Sequence, residues 1–219
     1  MGKIIVMALA LAVLAGALAI GCVQQGGVAS LGSVEVRSYQ GKDLSAISGF
    51  QENSIKGPQY IDEASYRLEV NGLVGKPLNL TYDEALAHQK YSKAVTLYCV
   101  EGWNVTILWE GVLLSDIFKD AIVQQGANTV IFRAYDGYST SLPLDYINSR
   151  NIILAYKVNN VTLPPERGFP FMVVAEDKYG YKWAKWVTSI ELSDNTSFRG
   201  YWESAGYSQE GNTTGPLFN

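Results

Sequence analysis

Residues 95–103 read VTLYCVEGW, and the interpretation of the whole chain starts from them. An apolar, β-branched run ends in Cys99, and a Glu-Gly-Trp turn follows directly. The run predicts a buried strand, and Gly102 marks the place where the backbone bends tightly. Cys99 is therefore predicted at a strand end, where a rigid scaffold can present its thiol to a cleft. The alternative is a packed cysteine, because free cysteines are often buried and behave as small hydrophobic residues.

Length and composition narrow the possible functions. A chain of 219 residues with 47% hydrophobic residues can bury one sizeable core, as one large domain or two small ones. The net charge of −4 gives no reason to expect nucleic acid as a partner. The single histidine, His88, argues against a zinc site built on several imidazoles and against a Ser-His triad. Its place at the end of a short helical pattern is typical of a surface histidine.

The N-terminus has the features of a targeting segment. Lys3 precedes an apolar run over Ile4–Ile20, which ends at Gly21-Cys22. This ending resembles the lipobox of prokaryotic lipoproteins, in which the cysteine is lipidated after cleavage. An uncleaved membrane anchor is the alternative, because the run is close to the length of a membrane span. In either case we expect the folded part at the extracytoplasmic face of the cell membrane, with Cys22 as the lipid anchor when the segment is cleaved.

The cysteine count gives Cys99 a special position. With Cys22 used for the lipid, Cys99 has no intramolecular partner, and the sequence predicts no disulfide. An exported protein that keeps one unpaired thiol needs a reason to do so. Metal ligation is one of the few chemical reasons.

Strand patterns dominate the rest of the chain, with short helices between them. We predict a signal and lipobox segment over 1–22, a linker and irregular region over 23–65, a folded domain over 66–207 and a tail over 208–219. Thr81 and Glu84 form a capping box that predicts a helix to about His88. The expected fold class is α+β, with a strand-rich mixed-sheet core.

Several segments, in order, resemble the molybdopterin-binding domain of the sulfite oxidase family. The resemblance covers about residues 66–207 and predicts the fold of that domain, in a short, lipoprotein-like archaeal or bacterial member. The segments that carry it are CVEGW at 99–103, WEGV at 109–112, YSTSLPL at 138–144, GFP at 168–170 and YGYKWAKW at 179–186.

The resemblance assigns a role to each candidate site residue. It implies that Cys99 is the only protein ligand of the molybdenum, or possibly tungsten, of a molybdopterin cofactor. A thiolate is a soft donor that suits such a centre. Tyr138 would face the open coordination positions of the metal and donate a hydrogen bond to an oxo group or substrate oxygen, and Asp136 would orient groups nearby. The alternatives are a turn tyrosine and an Asp-Gly turn that needs no functional reason.

The resemblance also implies where the cofactor is held. The segment with Lys182, Trp183, Ala184 and Lys185 would hold the pterin phosphate, and the alternative for the lysines is solvated charge on a strand edge. The family's arginine after the Gly-X-Pro landmark is replaced here by Phe171-Met172, and Arg167 is the expected substitute. The family's N-terminal cofactor-binding segment has no clear counterpart before Tyr66, which leaves the exact form of the pterin open.

Two classes of function follow from these features. The first is an exported, membrane-anchored molybdopterin-dependent oxidoreductase that transfers an oxygen atom to or from a small-molecule substrate. With no haem domain in the sequence, its electrons are expected to pass through a separate membrane or surface electron-transfer protein. The second is a non-enzymatic surface module that keeps the fold, has lost the cofactor and binds a ligand or partner.

Overall fold

A computed structural model describes residues 34–219 of the chain. The predicted export segment, with Cys22, lies outside the described residues. Within residues 34–219, no helix is both long and apolar enough to cross a membrane. The strands are β1 Ser38–Tyr39, β2 Lys42–Asp43, β3 Leu68–Gly72, β4 Leu78–Leu80, β5 Lys90–Tyr98, β6 Asn104–Leu113, β7 Thr129–Ala134, β8 Ser139–Pro143, β9 Ile153–Val158, β10 Val161–Thr162, β11 Met172–Val173 and β12 Val187–Ser193. The α-helices are α1 Tyr82–Leu86, α2 Leu114–Ala121, α3 Leu144–Arg150 and α4 Tyr201–Ser204.

The first large sheet is antiparallel and carries Cys99 at its end. Its strand order is β10-β9-β6-β5, and β11 also pairs with β9. The pairing of β5 with β6 runs from Lys90 opposite Val112 to Tyr98 opposite Asn104. The turn of this hairpin is therefore the predicted Cys-Val-Glu-Gly-Trp stretch, and the paired strands fix the position of Cys99.

The second large sheet has the order β4-β3-β12-β7-β8. Strands β3 and β12 are parallel, and the other neighbours are antiparallel. The short helices join strands; α1 begins with the predicted capping box, in which Thr81 and Glu84 exchange hydrogen bonds. This mixed arrangement of strands with few short helices confirms the expected α+β class.

One hydrophobic core takes buried residues from both large sheets. Trp109 on β6 is fully buried, and its ring centroid lies 5.4 Å from that of Trp183 and 5.8 Å from that of Phe50. Burial of such large aromatic side chains gives the largest hydrophobic contribution per residue. The contact with Phe50 shows that residues before Tyr66 belong to this core.

The described residues before Tyr66 pack on the domain, although the sequence predicts a linker and irregular region there. Ile47 and Phe50 are buried in the core. The side chain of Asn159, which is buried between β9 and β10, donates to Glu35 Oε1 at 2.9 Å and to the Ser45 carbonyl oxygen at 2.8 Å. The folded unit therefore extends well beyond the predicted boundary at Tyr66, because long-range hydrogen bonds hold a polar segment that has little secondary structure.

Candidate active site at the β5–β6 turn

A cavity of about 460 Å³ opens beside the β5–β6 turn. Its lining combines that turn with the β7–β8 turn and with some residues of the segments 50–55, 180–186 and 201–207. The volume lies within the range of small-molecule and cofactor sites. Cys99, Asp136, Tyr138, Trp183 and Lys185 all line it, so the fold brings together five of the predicted site residues.

The β5–β6 turn presents the thiol of Cys99. The Cys99 amide donates to the Trp103 carbonyl oxygen at 2.9 Å, and Gly102, at φ +92°, donates to the Cys99 carbonyl oxygen at 3.1 Å. The sulfur lies 3.9 Å from both Asn53 Nδ2 and Glu101 Oε2. Burial raises the pKa of the Cys99 thiol and the Glu101 carboxylate adds to this, whereas hydrogen bonds from the Glu101 amide and Asn53 oppose it.

The β7–β8 turn presents Asp136 and Tyr138. Asp136 is buried, and its Oδ1 accepts a hydrogen bond from the Tyr138 amide at 2.9 Å. The Tyr138 hydroxyl donates to the Tyr181 carbonyl oxygen, so its proton is directed at the backbone. Burial raises the pKa of Tyr138 well above its ordinary value, with a further rise from the Glu203 carboxylate. The ring of Tyr138 is thus fixed at the cavity with a neutral hydroxyl.

Lys185 carries the positive charge of the cavity lining. Its ammonium lies 2.9 Å from Glu52 Oε1 and 4.4 Å from the centroid of the Trp186 ring. Burial lowers the pKa of Lys185, and the hydrogen bond and charge of Glu52 counter this shift. Glu52 comes from the segment before Tyr66, so that segment contributes directly to the electrostatics of the cavity.

Arg167 lies near this group without being part of the cavity lining. Its guanidinium carbon is 5.2 Å from the centroid of Phe50, a lining residue, and its charge acts on Glu52. Arg167 Nη1 is buried and has no hydrogen-bond partner within the part of the chain that the structure describes. A buried donor without a partner is costly, and such an atom often marks a place where a ligand completes the network.

The other three residues predicted to hold the pterin phosphate, Lys182, Trp183 and Ala184, have different surroundings from Lys185. Lys182 does not line the cavity; it is fully buried, with Nζ 2.6 Å from Glu203 Oε1 and 3.0 Å from the Gln209 carbonyl oxygen. Trp183 lines the cavity and donates from Nε1 to the Lys178 carbonyl oxygen at 3.0 Å. Ala184 is buried and accepts from the Val173 amide at 2.9 Å. The structure thus offers Lys185, and not Lys182, to a ligand in the cavity.

Two parts of the lining are absent from the sequence-based prediction. Residues 50–55 contribute Asn53 beside the Cys99 sulfur, and residues 201–207 contribute Tyr201, Trp202 and Tyr207. The high aromatic content of residues 201–207 was the one available signal for the second part. His88, in contrast, lies outside the lining and is 3.2 Å from Asp120 Oδ2.

Comparison with known proteins identifies the family of this chain. The family model described as oxidoreductase molybdopterin binding domain matches residues 55–202. The chain belongs to this family. An uncharacterized oxidoreductase of Bacillus subtilis, YuiH, is 36% identical over 155 residues, which cover 70% of this chain and 78% of that protein.

Two other proteins are similar to this chain over shorter parts of their length. A putative protein-methionine-sulfoxide reductase subunit of Azospira oryzae, YedZ1, is 33% identical over 147 residues, which cover 67% of this chain and 56% of that protein. Among solved structures, the sulfane dehydrogenase SoxCD of Paracoccus pantotrophus superposes with a TM-score of 0.63 at 23% identity, over 66% of this chain and 42% of that one. The superposition supports the fold.

Membership of the molybdopterin-binding family implies a molybdopterin cofactor, and the cavity residues fit one. Cys99 offers a thiol, and thiolates are the soft ligands that suit such metals. Lys185 offers a cation, and the partnerless Nη1 of Arg167 offers a donor close to Glu52. Within residues 34–219, no cluster of three or more His, Cys, Asp or Glu side chains forms a protein-only metal site. The fit therefore rests on Cys99, Lys185 and Arg167.

Proposed function

We propose that this molybdopterin-dependent oxidoreductase transfers an oxygen atom to or from a small substrate, at a molybdenum or tungsten centre ligated by Cys99. The observation that carries the proposal is the convergence of Cys99, Asp136, Tyr138 and Lys185 on one cavity. These residues come from three separate parts of the chain, and only the tertiary fold brings them together.

Cys99 supplies the metal ligand in this proposal. When bound, the cofactor supplies two-electron redox chemistry, and the protein supplies its position and electrostatics. Burial raises the pKa of the Cys99 thiol, so the free thiol is protonated and loses its proton when a metal binds. The amide and Asn53 hydrogen bonds to the sulfur stabilise the thiolate that results.

Lys185 and Arg167 hold the phosphate of the pterin in this proposal. A buried phosphate dianion requires cations and hydrogen-bond donors, because an unpaired buried charge costs several kcal/mol. Lys185 lines the cavity, and Arg167 has an unused buried donor. Met172, which also lines the cavity, offers no donor at the place where the family has an arginine.

Tyr138 and Asp136 position the substrate in this proposal. The Tyr138 hydroxyl donates a hydrogen bond to the Tyr181 carbonyl oxygen, which leaves an oxygen lone pair and the ring face for the cavity. Asp136 holds the Tyr138 amide and thereby fixes the turn. Both residues thus act by orientation, and the redox chemistry belongs to the cofactor.

The cellular setting is also part of the proposal. We infer that Cys22 is lipidated and holds the domain at the extracytoplasmic face of the membrane, which is supported by the sequence of the first 22 residues. We also infer a separate electron-transfer partner, since a relative in Gluconobacter oxydans carries the name of a catalytic subunit of a methionine-sulfoxide reductase. That relative is 30% identical over 148 residues, which cover 47% of its length.

A reciprocal pair of cysteine variants tests the proposal. In a host that makes the cofactor, Cys99→Ser should abolish metal retention and leave the membrane association intact. Cys22→Ser should release the protein from the membrane and leave the metal content of the domain unchanged. Metal analysis and membrane fractionation of both variants give the two measurements. Full metal occupancy in Cys99→Ser would contradict the ligand assignment.

A second candidate function is favoured by one specific observation. Glu52 already neutralises Lys185, and the lining has Met172 where the family resemblance implies an arginine, so the cavity offers a phosphate less positive charge than that resemblance predicts. A surface module that binds a ligand without the cofactor is consistent with this. Wild-type protein that stays free of metal in a cofactor-competent host would establish this alternative.

A further inference from the structure

Five Asn-X-Ser/Thr triplets occur in the chain, and the function proposed above uses none of them. They begin at Asn79, Asn104, Asn160, Asn195 and Asn212. With 12 asparagines and 27 serines and threonines among 219 residues, roughly one or two such triplets would arise by chance. The triplet is the acceptor of N-linked sugars in exported proteins and must lie at the surface to receive them. The structure therefore decides which of the five can serve.

Two of the triplets have an engaged hydroxyl at their third position. Thr81 Oγ1, in the triplet that begins at residue 79, accepts from the Glu84 amide at 3.2 Å and lies 2.9 Å from Glu84 Oε2. Thr106 Oγ1, in the triplet that begins at residue 104, lies 2.8 Å from Thr96 Oγ1 within the β5–β6 hairpin. Because the acceptor motif requires this hydroxyl, the fold withholds both triplets.

A third triplet has an engaged asparagine. Asn212 is half-buried, and its Oδ1 accepts a hydrogen bond from Lys178 Nζ at 2.6 Å. The side-chain amide of Asn212 is thus held against the domain by a buried ammonium. A transferase could reach this amide only by breaking a charge-assisted hydrogen bond.

The triplet at Asn160 lies open at the edge of the first large sheet. Asn160 follows Asn159 in the tight turn between β9 and β10, and β10 is an edge strand. Asn160 and Thr162 are exposed, and Val161 between them is half-buried. Both the amide and the hydroxyl that the acceptor motif requires are therefore accessible from solvent.

The triplet at Asn195 lies in the loop between β12 and α4. Asn195, Thr196 and Ser197 are all exposed. Asn195 Oδ1 accepts from the Ser197 amide at 3.0 Å, which forms an Asx-turn. This hydrogen bond uses the oxygen of the side-chain amide and does not engage Nδ2, the atom to which a sugar is joined.

We propose that Asn160 and Asn195 are N-glycosylation sites of the exported protein, and that the three engaged triplets stay unmodified. The proposal rests on the extracytoplasmic location that forms part of the proposed function, because N-linked sugars belong to exported proteins. It adds a modification that is independent of the cofactor. No residue of either triplet lines the cavity, so the sugars add no group to the cavity wall.

The modification is a group transfer from a lipid-linked sugar donor, in which a phosphate joins the first sugar to the lipid. The asparagine Nδ2 forms a bond to the anomeric carbon of that sugar, and the bond from this carbon to the phosphate oxygen breaks. The amide loses one proton, and the lipid phosphate leaves with the bonding electron pair, so nothing is oxidised or reduced. The lipid anchor proposed at Cys22 holds the acceptor at the membrane that contains such a donor.

Peptide mass spectrometry of the protein purified from the membrane of the source organism tests the proposal. We expect glycopeptides that contain Asn160 and Asn195, and unmodified peptides for the three engaged triplets. Protein made in a host without an asparagine-directed sugar transferase provides the unmodified masses. Sugars at both proposed sites and at none of the engaged triplets support the proposal, and every other pattern overturns it.

Variants at the third position show that the acceptor motif itself is used. In the source organism, Thr162→Val should lose the sugar at Asn160, and Ser197→Ala should lose the sugar at Asn195, although both asparagines remain. Thr162→Ser is the matched control and should keep the sugar, because serine retains the hydroxyl. Thr214→Val, at the exposed third position of an engaged triplet, should leave the mass of the sugars unchanged.

The failure of this proposal can be told apart from that of the proposed function. The same measurement identifies the N-terminal peptide, and lipidated Cys22 in protein without sugars contradicts only the glycosylation. Metal analysis reports on the cofactor separately, and Thr162→Val and Ser197→Ala should retain the metal content of wild type, since both residues lie outside the cavity lining. Protein that carries both sugars but no metal contradicts only the proposed function.

Discussion

Lys185 Nζ lies 2.9 Å from Glu52 Oε1, at the same cavity that Cys99 lines. The side chain of Lys185 is 11% exposed and that of Glu52 is 28% exposed, so water screens the pair only in part. The Glu52 carboxylate already pairs with the Lys185 ammonium, which an incoming anion would otherwise contact. The residues before Tyr66 therefore control how much positive charge the cavity offers.

Glu52→Gln should raise the affinity of the cofactor-free protein for inorganic phosphate. The amide keeps the shape of the side chain but removes the negative charge that competes for Lys185. We expect a gain of roughly three- to tenfold, about the size of one partly exposed ion pair. Calorimetric titration with phosphate measures it. Glu191→Gln, which removes the carboxylate of an ion pair with Arg133 at 2.8 Å outside the lining, is the matched control and should change nothing.

The same variant should change the acid stability of the cofactor-free domain. Burial alone would raise the pKa of Glu52, but hydrogen bonds from Lys185 and Ser54 and the charges of Lys185 and Arg167 outweigh it and lower the pKa from 4.5. A lowered native pKa stabilises the fold above the unfolded pKa, and the contribution is lost as the pH falls toward the native value. Wild type should thus lose more stability between about pH 5 and 3 than Glu52→Gln. Urea unfolding at a series of pH values gives the comparison, and equal slopes would contradict the prediction.

The sequence predicts the local parts of this site well. A β-branched run followed by Glu-Gly-Trp predicts a strand and a tight turn at Cys99, and Asp136-Gly137 predicts the turn that presents Tyr138. Both turns are present, and both of these side chains line the cavity. Such features depend on neighbours in sequence, which is why pattern and turn chemistry suffice.

The remaining parts of the site depend on contacts between distant residues. Lys182 and Lys185 lie in one short, nearly symmetric stretch, Lys-Trp-Ala-Lys, and no local pattern shows which of them reaches a cavity. Glu203, 21 residues from Lys182 in sequence, pairs with Lys182, and this ion pair decides which of the two lysines reaches the cavity. Asn53 likewise reaches the cavity, and Glu52 reaches Lys185, only because the polar segment before Tyr66 folds back on the core.

Lys182→Met should destabilise the domain and leave phosphate binding intact in the folded fraction. The substitution leaves the Glu203 carboxylate buried without its partner, which costs about 3–5 kcal/mol. Adding Glu203→Gln should restore part of that loss, since the buried charge is removed as well. Chemical denaturation measures the stabilities. Lys185→Met is the matched control; it should lose phosphate affinity with a smaller loss of stability. Equal effects of both lysine variants on phosphate binding would contradict the separation of their roles.

Gly111→Ala should destabilise the first large sheet. A Cβ atom at Gly111 would lie 2.3 Å from the Leu154 carbonyl oxygen and 2.7 Å from Ala155 Cα, both backbone atoms of the neighbouring strand β9. The register of β6 and β9 shifts at this residue, so the strands approach closely and have no room for a methyl group. We expect a loss of at least about 3 kcal/mol in the free energy of unfolding. Gly49→Ala, where nothing lies within 4 Å of the added Cβ, should stay within about 1 kcal/mol of wild type.

Asn159→Gly should release the segment before Tyr66 from the domain. The side chain of Asn159 accepts from the Leu108 amide at 3.0 Å and donates to Glu35 and to the Ser45 carbonyl oxygen. Glycine tolerates the left-handed backbone of this position, φ +47°, so the variant removes the hydrogen bonds without adding backbone strain. Three hydrogen bonds at about 1 kcal/mol each predict a loss near 3 kcal/mol.

The neighbouring Asn160 gives a matched control for this change. Asn160 is exposed and also left-handed, at φ +67°, so Asn160→Gly alters a similar backbone position without the buried side-chain hydrogen bonds of Asn159. Limited proteolysis should cut Asn159→Gly faster within residues 34–65 and leave Asn160→Gly as resistant as wild type. Because Asn53 and Glu52 belong to the released segment, Asn159→Gly should also alter phosphate binding at Lys185, although Asn159 lies outside the cavity lining. Equal proteolysis of the two variants would show that other contacts hold the segment in place.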